Sequence, residues 1–387
     1  MAINENAVTD TLTPTTGTLV VTGNHSVTGS VNSTNTFGFK NRIINGAMVI
    51  DQRNLGAAIN PAVNANYCVD RFLTRSSQAS LYKIQQNAGA ITPPPGFTNY
   101  LGVTSLAATT FGSGDYAFIA QTIEGFNGAD LNWGTANAKT VTLSFWVQSS
   151  LTGTFGGSFR SYNGANYNYV YSYTITNANT WQYVTVTIPG PTSTFVVNNT
   201  NGGYVEIDFC FGAASPYINA PGSWTGAGNY LAPTGQVNVC GTNGATWYIT
   251  GVQLEVGTQA TSFDYRSIGT ELALCQRYTI VFAGDQGNSQ IATSQPASST
   301  STTSALVVFP TTMRATPTLA YSALADFGST NNQSGYVPTA LSIYTYGSST
   351  KAGSLSATLA STYNTVGYPY YIYATSTSSK LIFSAEL

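Results

Sequence analysis

Residues 140–148, TVTLSFWVQ, alternate strictly: Val141, Leu143, Phe145 and Val147 share one face, and Thr142, Ser144, Trp146 and Gln148 share the other. The same period of two runs through 204–211, YVEIDFCF, with Val205, Ile207, Phe209 and Phe211 on one side. In 166–176 it gathers Tyr167, Tyr169, Tyr171, Tyr173 and Ile175, and in 183–188 it sets Tyr183, Thr185 and Thr187 against Val184, Val186 and Ile188. Side chains of a strand point alternately to its two faces, so this pattern predicts half-buried antiparallel strands. Gly, Pro and Asn clusters interrupt the runs at roughly eight- to fifteen-residue spacing. Many short strands with regular turns predict an all-β sandwich of jelly-roll form.

One helix is expected, at 269–278, GTELALCQRY, where Leu272 and Cys275 lie three apart, Leu274 and Tyr278 lie four apart, and Thr270 is placed to cap. The chain then divides into an arm (1–39), a main sandwich (40–268), the connecting helix (269–278) and a smaller C-terminal β domain (279–387). The Ser/Thr-rich stretch 284–305 reads either as a flexible loop or as a polar edge strand. In the arm, Val-Thr-Gly occurs at 21–23 and again at 27–29. So thin a β segment is either a free tail or stacks against copies of itself.

Composition narrows the function. Of 387 residues only 7% are charged, against about 25% in an ordinary domain. Yet 42% are hydrophobic, with 25 Tyr, 18 Phe and 5 Trp, so the chain is not compositionally disordered. A net charge of −2 gives no cationic footprint for a nucleic-acid partner. The single histidine, His25, leaves no multi-histidine metal site and argues against a histidine-based triad. Cys68, Cys210, Cys240 and Cys275 lack CxxC spacing, and buried free thiols are the expectation. No apolar run is long enough to span a membrane, and the first residues, MAINENAVTDTLTP, do not read as a signal peptide. No phosphate loop, metal signature or nucleophile elbow is found, so neither cofactor nor metal is expected. The sequons at Asn24, Asn32, Asn198 and Asn332 are chance matches in an Asn/Ser/Thr-rich chain.

The few charges cluster. Segments 40–75 and 255–277 hold 12 of the 28 Asp, Glu, Lys and Arg residues, with alternating sign. Arg pairs with carboxylates in a geometry-setting fork. Arg42, Asp51, Arg53, Asp70, Arg71, Glu255, Asp264 and Arg266 are therefore expected to form a structural ion-pair network joining the first strand, the last strand and the helix. An anion-binding or catalytic site is the competing reading.

These segments also carry a resemblance. NRIINGAMVIDQR (41–53) and YCVDRF (67–72) resemble the opening of a domain common in bacteriophage tail-fibre proteins. GVQLEVGTQATSFDYR (251–266) and GTELALCQRY (269–278) resemble its closing strand and following helix. FPTTMRATPT (309–318), the final IFSAEL (382–387) and the Val-Thr-Gly arm also resemble parts of such chains. The resemblance implies a carbohydrate-binding-like jelly roll in a homotrimeric virion fibre, made in the host cytoplasm. The C-terminal β domain would help trimerise or touch the host, and residues 1–39 would join other tail or baseplate proteins. These motifs look like scaffold, so no binding site is transferred with them.

Ligand-binding candidates come from the residues themselves. The Gly/Pro-rich loop 215–236 carries Tyr217, Trp224 and Tyr230, and Trp146 lies on a strand. Aromatic faces in charge-poor loops suit a host surface glycan. Trp224 folding back to close the sandwich end is the alternative, and the Tyr167–Tyr173 ladder is either a core layer or a sugar platform. The run YPYYIY (368–373) puts aromatics on both faces of a strand, one toward a core and one toward a neighbouring subunit or a ligand. Glu206 and Asp208, two apart on the polar face of one strand, are placed as a glycosidase pair would be, but their strand offers no partner to split their pKa values. The expectation is thus a non-enzymatic tail-fibre subunit that attaches to a host glycan. The alternatives are a fibre-borne polysaccharide depolymerase and a purely structural capsid or tail decoration.

Overall fold

The computed structural model describes residues 40–63, 66–164, 166–284, 289–297, 299–331, 335–344 and 346–387. The arm with its repeat and His25, together with Asn332, lies outside them, as do the expectations placed on the arm.

In chain order the first part forms β1 (Asn66–Tyr67), β2 (Leu73–Ser76), β3 (Tyr82–Gln86), β4 (Leu101–Ser105), β5 (Tyr116–Glu124), β6 (Val141–Ser149) and β7 (Gly153–Ser161). There follow β8 (Asn168–Ile175), β9 (Gln182–Ile188), β10 (Gly203–Ala213), β11 (Ile218–Asn219), β12 (Trp224–Thr225), β13 (Ala232–Pro233) and β14 (Thr246–Val256). They build two facing sheets, ordered β1-β2-β5-β10-β7-β8-β12 and β3-β4-β14-β6-β9, and a separate parallel pair, β11-β13. The chain is an all-β jelly-roll sandwich, as the alternation predicts.

The predicted inward residues meet between the sheets. Val141, Leu143, Phe145 and Val147 of β6 and Ile207, Phe209 and Phe211 of β10 are all fully buried in one core. Tyr169, Tyr171 and Tyr173 join it, so the ladder is a core layer; Trp247 Nε1 donates to Tyr173 Oη at 3.2 Å, and Tyr171 Oη donates to Asp208 O. Tyr167 falls just before β8 and packs only partly against this core. All four cysteines are buried and unpaired, and burial pushes the Cys210 and Cys240 thiols up to about 12.

The segment bearing the NRIINGAM motif is stitched to β14. Pairing of β14 with β6 slips between Thr250 and Gln253, where Gly251 adopts φ +65°. This bulge frees the Val252 backbone from the β6 ladder while its side chain stays in the core: its N–H donates to Gly46 O, and its carbonyl accepts from Asn41 Nδ2. Asn41 Oδ1 in turn accepts from the Leu254 N–H.

The helix spans Ile268–Gln276, not 269–278. Its N-cap position is Ser267 rather than Thr270; the two hydroxyls face each other at 2.8 Å. Beyond it, a three-stranded sheet (Thr279–Ala283, Lys380–Ser384, Thr318–Tyr321) and a seven-stranded sheet enclose a second core around Phe309, Met313, Phe327, Leu355 and Phe383. The strand Ser289–Pro296 pairs with Thr302–Val308 on one side and Pro369–Ala374 on the other. It is an interior strand, not the loop or edge strand that its Ser/Thr content suggested, because backbone pairing does not require apolar side chains. Within YPYYIY, Tyr370 and Ile372 are buried while Tyr371 and Tyr373 are only partly so.

The expected single ion-pair network is instead several small clusters. Glu386 accepts from Arg53, Arg71 and Thr279, and Arg53 also stands 3.9 Å from Asp70. Arg277 and Tyr278 both donate to Glu124, and Arg314 Nη1 reaches Asn201 O. These contacts fasten the second sandwich to the first. Arg42 forks onto Asp130, and Arg266 pairs with Glu271. Asp51 forms no ion pair among the described residues and instead caps a turn, accepting from the Asn54 and Gly56 N–H groups. Glu255 and Asp264 also serve as hydrogen-bond acceptors.

Candidate functional site

On the outer face of the five-stranded sheet, Trp146 of β6 lies directly opposite Tyr183 of β9. Their rings are 5.3 Å apart, and Tyr183 is 42% exposed. A wall rises beside them from two loops: Phe97 lies 5.1 Å from Phe263 and 5.6 Å from Tyr265, and Phe263 lies 4.8 Å from Tyr265. Gly251 makes room for this wall, since a Cβ there would stand 2.6 Å from the Phe97 ring. The groove between platform and wall has a volume of about 570 Å³.

Among the described residues, no Asp, Glu, Lys or Arg lines this groove; Ser144, Thr261 and Ser262 bring hydroxyls to it. Its rim is held from beneath. Glu255, fully buried, accepts from Thr261 N–H at 2.8 Å and Thr261 Oγ1 at 2.7 Å, and Lys40 Nζ also donates to Thr261 Oγ1. Asp264 Oδ2 accepts from the Lys40 and Asn41 N–H groups, and Tyr265 Oη donates to Gly96 O. The wall residues also border a smaller cavity of about 280 Å³ that reaches Arg266 and Glu271. A neutral, aromatic, hydroxyl-bearing groove on a rigid sheet can hold a flat ligand with apolar C–H faces and polar edges.

Of the aromatic candidates, only Trp146 is here. Trp224 stacks on Tyr167 at 5.7 Å and 10°, packs edge-on against Trp133 and Phe195, and donates through Nε1 to Pro189 O. It closes one end of the sandwich, half-buried against the core. Tyr230 packs over Gly228. Tyr217 lines a separate cavity on the opposite sheet. Tyr183 had a sequence signal, its place on the polar face of an alternating strand; Phe97, Phe263 and Tyr265 come from loops and had none.

Glu206 and Asp208 are not on an exposed face. They are 4% and 0% exposed. Arg160 donates to Glu206, its Nε lies 2.6 Å from Asp208 Oδ2, and Ser158 Oγ donates to the same oxygen at 2.9 Å. Burial, opposed by Arg160, pushes the Asp208 carboxyl up to about 7; burial likewise pushes Asp70 up to about 6 against Arg53. An unfolded Asp titrates near 3.9, on the order of two to three units lower. Between about pH 4 and pH 7 the folded chain therefore binds more protons than the unfolded one, and stability falls as pH rises through that window. The thermal midpoint is expected to drop by a few degrees from about pH 5 to about pH 8, and Asp208→Asn to remove part of that slope. A midpoint that climbs over this range contradicts the buried placement of Asp208. Among the described residues, no three His, Cys, Asp or Glu side chains cluster as a metal site would need.

Fold and groove together define an all-β jelly-roll sandwich with an uncharged aromatic cleft. No family model matches the chain, and no curated protein matches it in sequence. Among solved structures it is similar to the enzymatically active domain of tailspike protein 4 of bacteriophage CBA120, at 15% identity over 56% of this chain and a TM-score of 0.30. The match spans 21% of that tailspike chain. It is also similar to the family 11 carbohydrate-binding module of the Clostridium thermocellum cellulase Lic26A-Cel5E, at 14% identity over 53% of this chain and 98% of that one, with a TM-score of 0.25. The N-terminal cellulose-binding domain of Cellulomonas fimi β-1,4-glucanase C matches at 12% identity over 42% of this chain and 82% of that one, with a TM-score of 0.25. Function is therefore read from this chain's own residues.

Proposed function

We propose that the chain is a non-enzymatic adhesin: a bacteriophage tail-fibre subunit, homotrimeric in the virion, that holds a neutral glycan of the host surface in the groove of Trp146 and Tyr183. The observation that carries this reading is the groove itself, an uncharged aromatic platform and wall on a rigid sheet. Sugar C–H faces stack on the rings, and Ser144, Thr261 and Ser262 hydroxyls meet the polar edges. One such site binds weakly; three per fibre and several fibres per particle would bind tightly through effective concentration. Virion location, trimerisation and attachment through residues 1–39 rest on the tail-fibre motifs of the sequence. A non-catalytic reading is supported by Glu206 and Asp208, buried carboxylates that both pair with Arg160, Asp208 also accepting from Ser158.

A glycan array probed with the full chain tests the reading. The wild type is expected to bind a class of neutral oligosaccharides, and Trp146→Ala and Tyr183→Ala each to lose about tenfold or more in affinity while keeping the wild-type thermal midpoint. Binding that survives both substitutions would refute the groove as the site, and a native mass of one chain would refute the trimer.

A further inference from the structure

The segment carrying β11 and β13, a parallel pair, runs across the outer face of the first seven-stranded sheet, while β12 between them pairs with β8 at that sheet's edge. Leu231 and Ala232 pack there on Phe118, Ala120 and Cys210. Beneath the segment lies a cavity of about 320 Å³, remote in sequence from the Trp146 groove and opposite in character. Two arginines line it, Arg75 and Arg160, in a chain with only 13 Lys and Arg. Tyr116 and Tyr217, edge to face at 5.4 Å, form an aromatic side, and Asn229 completes a polar one.

The two guanidinium groups are not equally engaged. Arg160 is held on three sides, by Asn229 Oδ1 at 2.9 Å, by Glu206 and by Asp208. Arg75 Nη2 makes only a loose ion pair with Glu206 Oε2, at 3.6 Å, and its side chain is 31% exposed. The cavity therefore presents one loosely paired, partly exposed guanidinium, that of Arg75, backed by a fixed Arg160–Glu206–Asp208 cluster. Guanidinium donors fit a carboxylate in a two-pronged geometry. Glu206 and Asp208 offset the charge of the two arginines, so the cavity holds little net positive charge, and a dianionic phosphate is disfavoured there more than a singly charged carboxylate. The cavity volume falls at the lower end of the range of small-ligand sites, about 300–1,000 Å³.

We propose that this cavity is a second sugar subsite that takes an acidic sugar, its carboxylate on Arg75 and its ring face on Tyr217. The inference rests on the sugar-binding reading but uses different residues, so the two fail separately. Such a chain would recognise a host polysaccharide containing both neutral and uronic-acid units, each in its own site.

Calorimetric titration of the full chain with a glucuronic-acid oligosaccharide, its glucose counterpart and inorganic phosphate decides the matter. Arg75→Gln is expected to weaken the acidic ligand about tenfold or more and to leave the neutral one unchanged. Trp146→Ala is expected to do the reverse. Arg75→Lys, which keeps the charge but loses the fork, is expected to fall between wild type and Arg75→Gln. The proposal is overturned if the wild type binds the acidic sugar no better than the neutral one, if Arg75→Gln weakens both alike, or if phosphate displaces the acidic sugar at equal concentration. Acidic-sugar binding that depends on Arg75 with no neutral binding at all would uphold this subsite and refute the groove.

Discussion

Glu386→Ala is expected to destabilise the chain by about 3–5 kcal/mol, the cost of leaving a buried charge without its partner. Glu386 is second from the last residue, yet its side chain is only 8% exposed. It neutralises Arg71, which is buried against the Tyr278 ring at 3.6 Å and donates to Thr122 O at 2.7 Å. Alanine would remove the carboxylate and leave that guanidinium in place. Arg53, also paired with Glu386, would lose a partner 3.1 Å away. Denaturant unfolding measures the loss. A paired replacement sharpens the test: Arg71→Met with Glu386→Leu is expected to recover much of the stability, because apolar pairs commonly replace a buried ion pair without loss. A single-variant loss below about 1 kcal/mol would mean that Glu386 behaves as a surface charge.

Gly46→Ala is expected to cost about 1–3 kcal/mol and to weaken glycan binding as well. A Cβ at position 46 would fall inside contact distance of Val252 O, the carbonyl that the β14 bulge turns outward. The obstacle is backbone, so it does not rotate away. Relief requires moving the 41–46 segment or the bulge, and the Val252 N–H to Gly46 O bond at 2.9 Å goes with either. Phe97 rests on Gly251 in the same bulge, so the displacement reaches the groove wall. Gly269→Ala serves as the control: open space surrounds that helical glycine, and the change is expected to be neutral or mildly stabilising. A Gly46→Ala protein with wild-type stability and affinity would show that the bulge and the groove are independent.

Alternation was enough to place β6, β8, β9 and β10, because the period of a strand is a local property, and it chose the inward faces of β6, β9 and β10; for the Tyr ladder of β8 it left core layer and sugar platform both open. It could not say what lies over the outward faces. Glu206 and Asp208 were assigned to an open face for this reason; the cover comes from a Gly/Pro-rich segment with no periodicity of its own. The same blindness applies to charge. Clustering of charged residues in two segments signalled that they mattered, but the hub of one cluster is Glu386, more than 300 residues away from Arg53 and Arg71 in sequence. The groove was half legible: Trp146 and Tyr183 sit on strands and follow the pattern, whereas Phe97, Phe263 and Tyr265 are brought together by the β14 bulge and two loops. Trp224 shows the converse error, since an aromatic in a polar loop gives no sign of whether it faces solvent or caps a core.

The central claim is that the uncharged groove on the five-stranded sheet is where a glycan binds. A crystal structure of the full chain with a neutral oligosaccharide selected from the array tests it most directly. The account predicts a sugar ring lying on Trp146 and Tyr183, bounded by Phe97, Phe263 and Tyr265, with hydroxyls toward Ser144 and Thr261. An oligosaccharide bound elsewhere, with this groove holding only water, would contradict it.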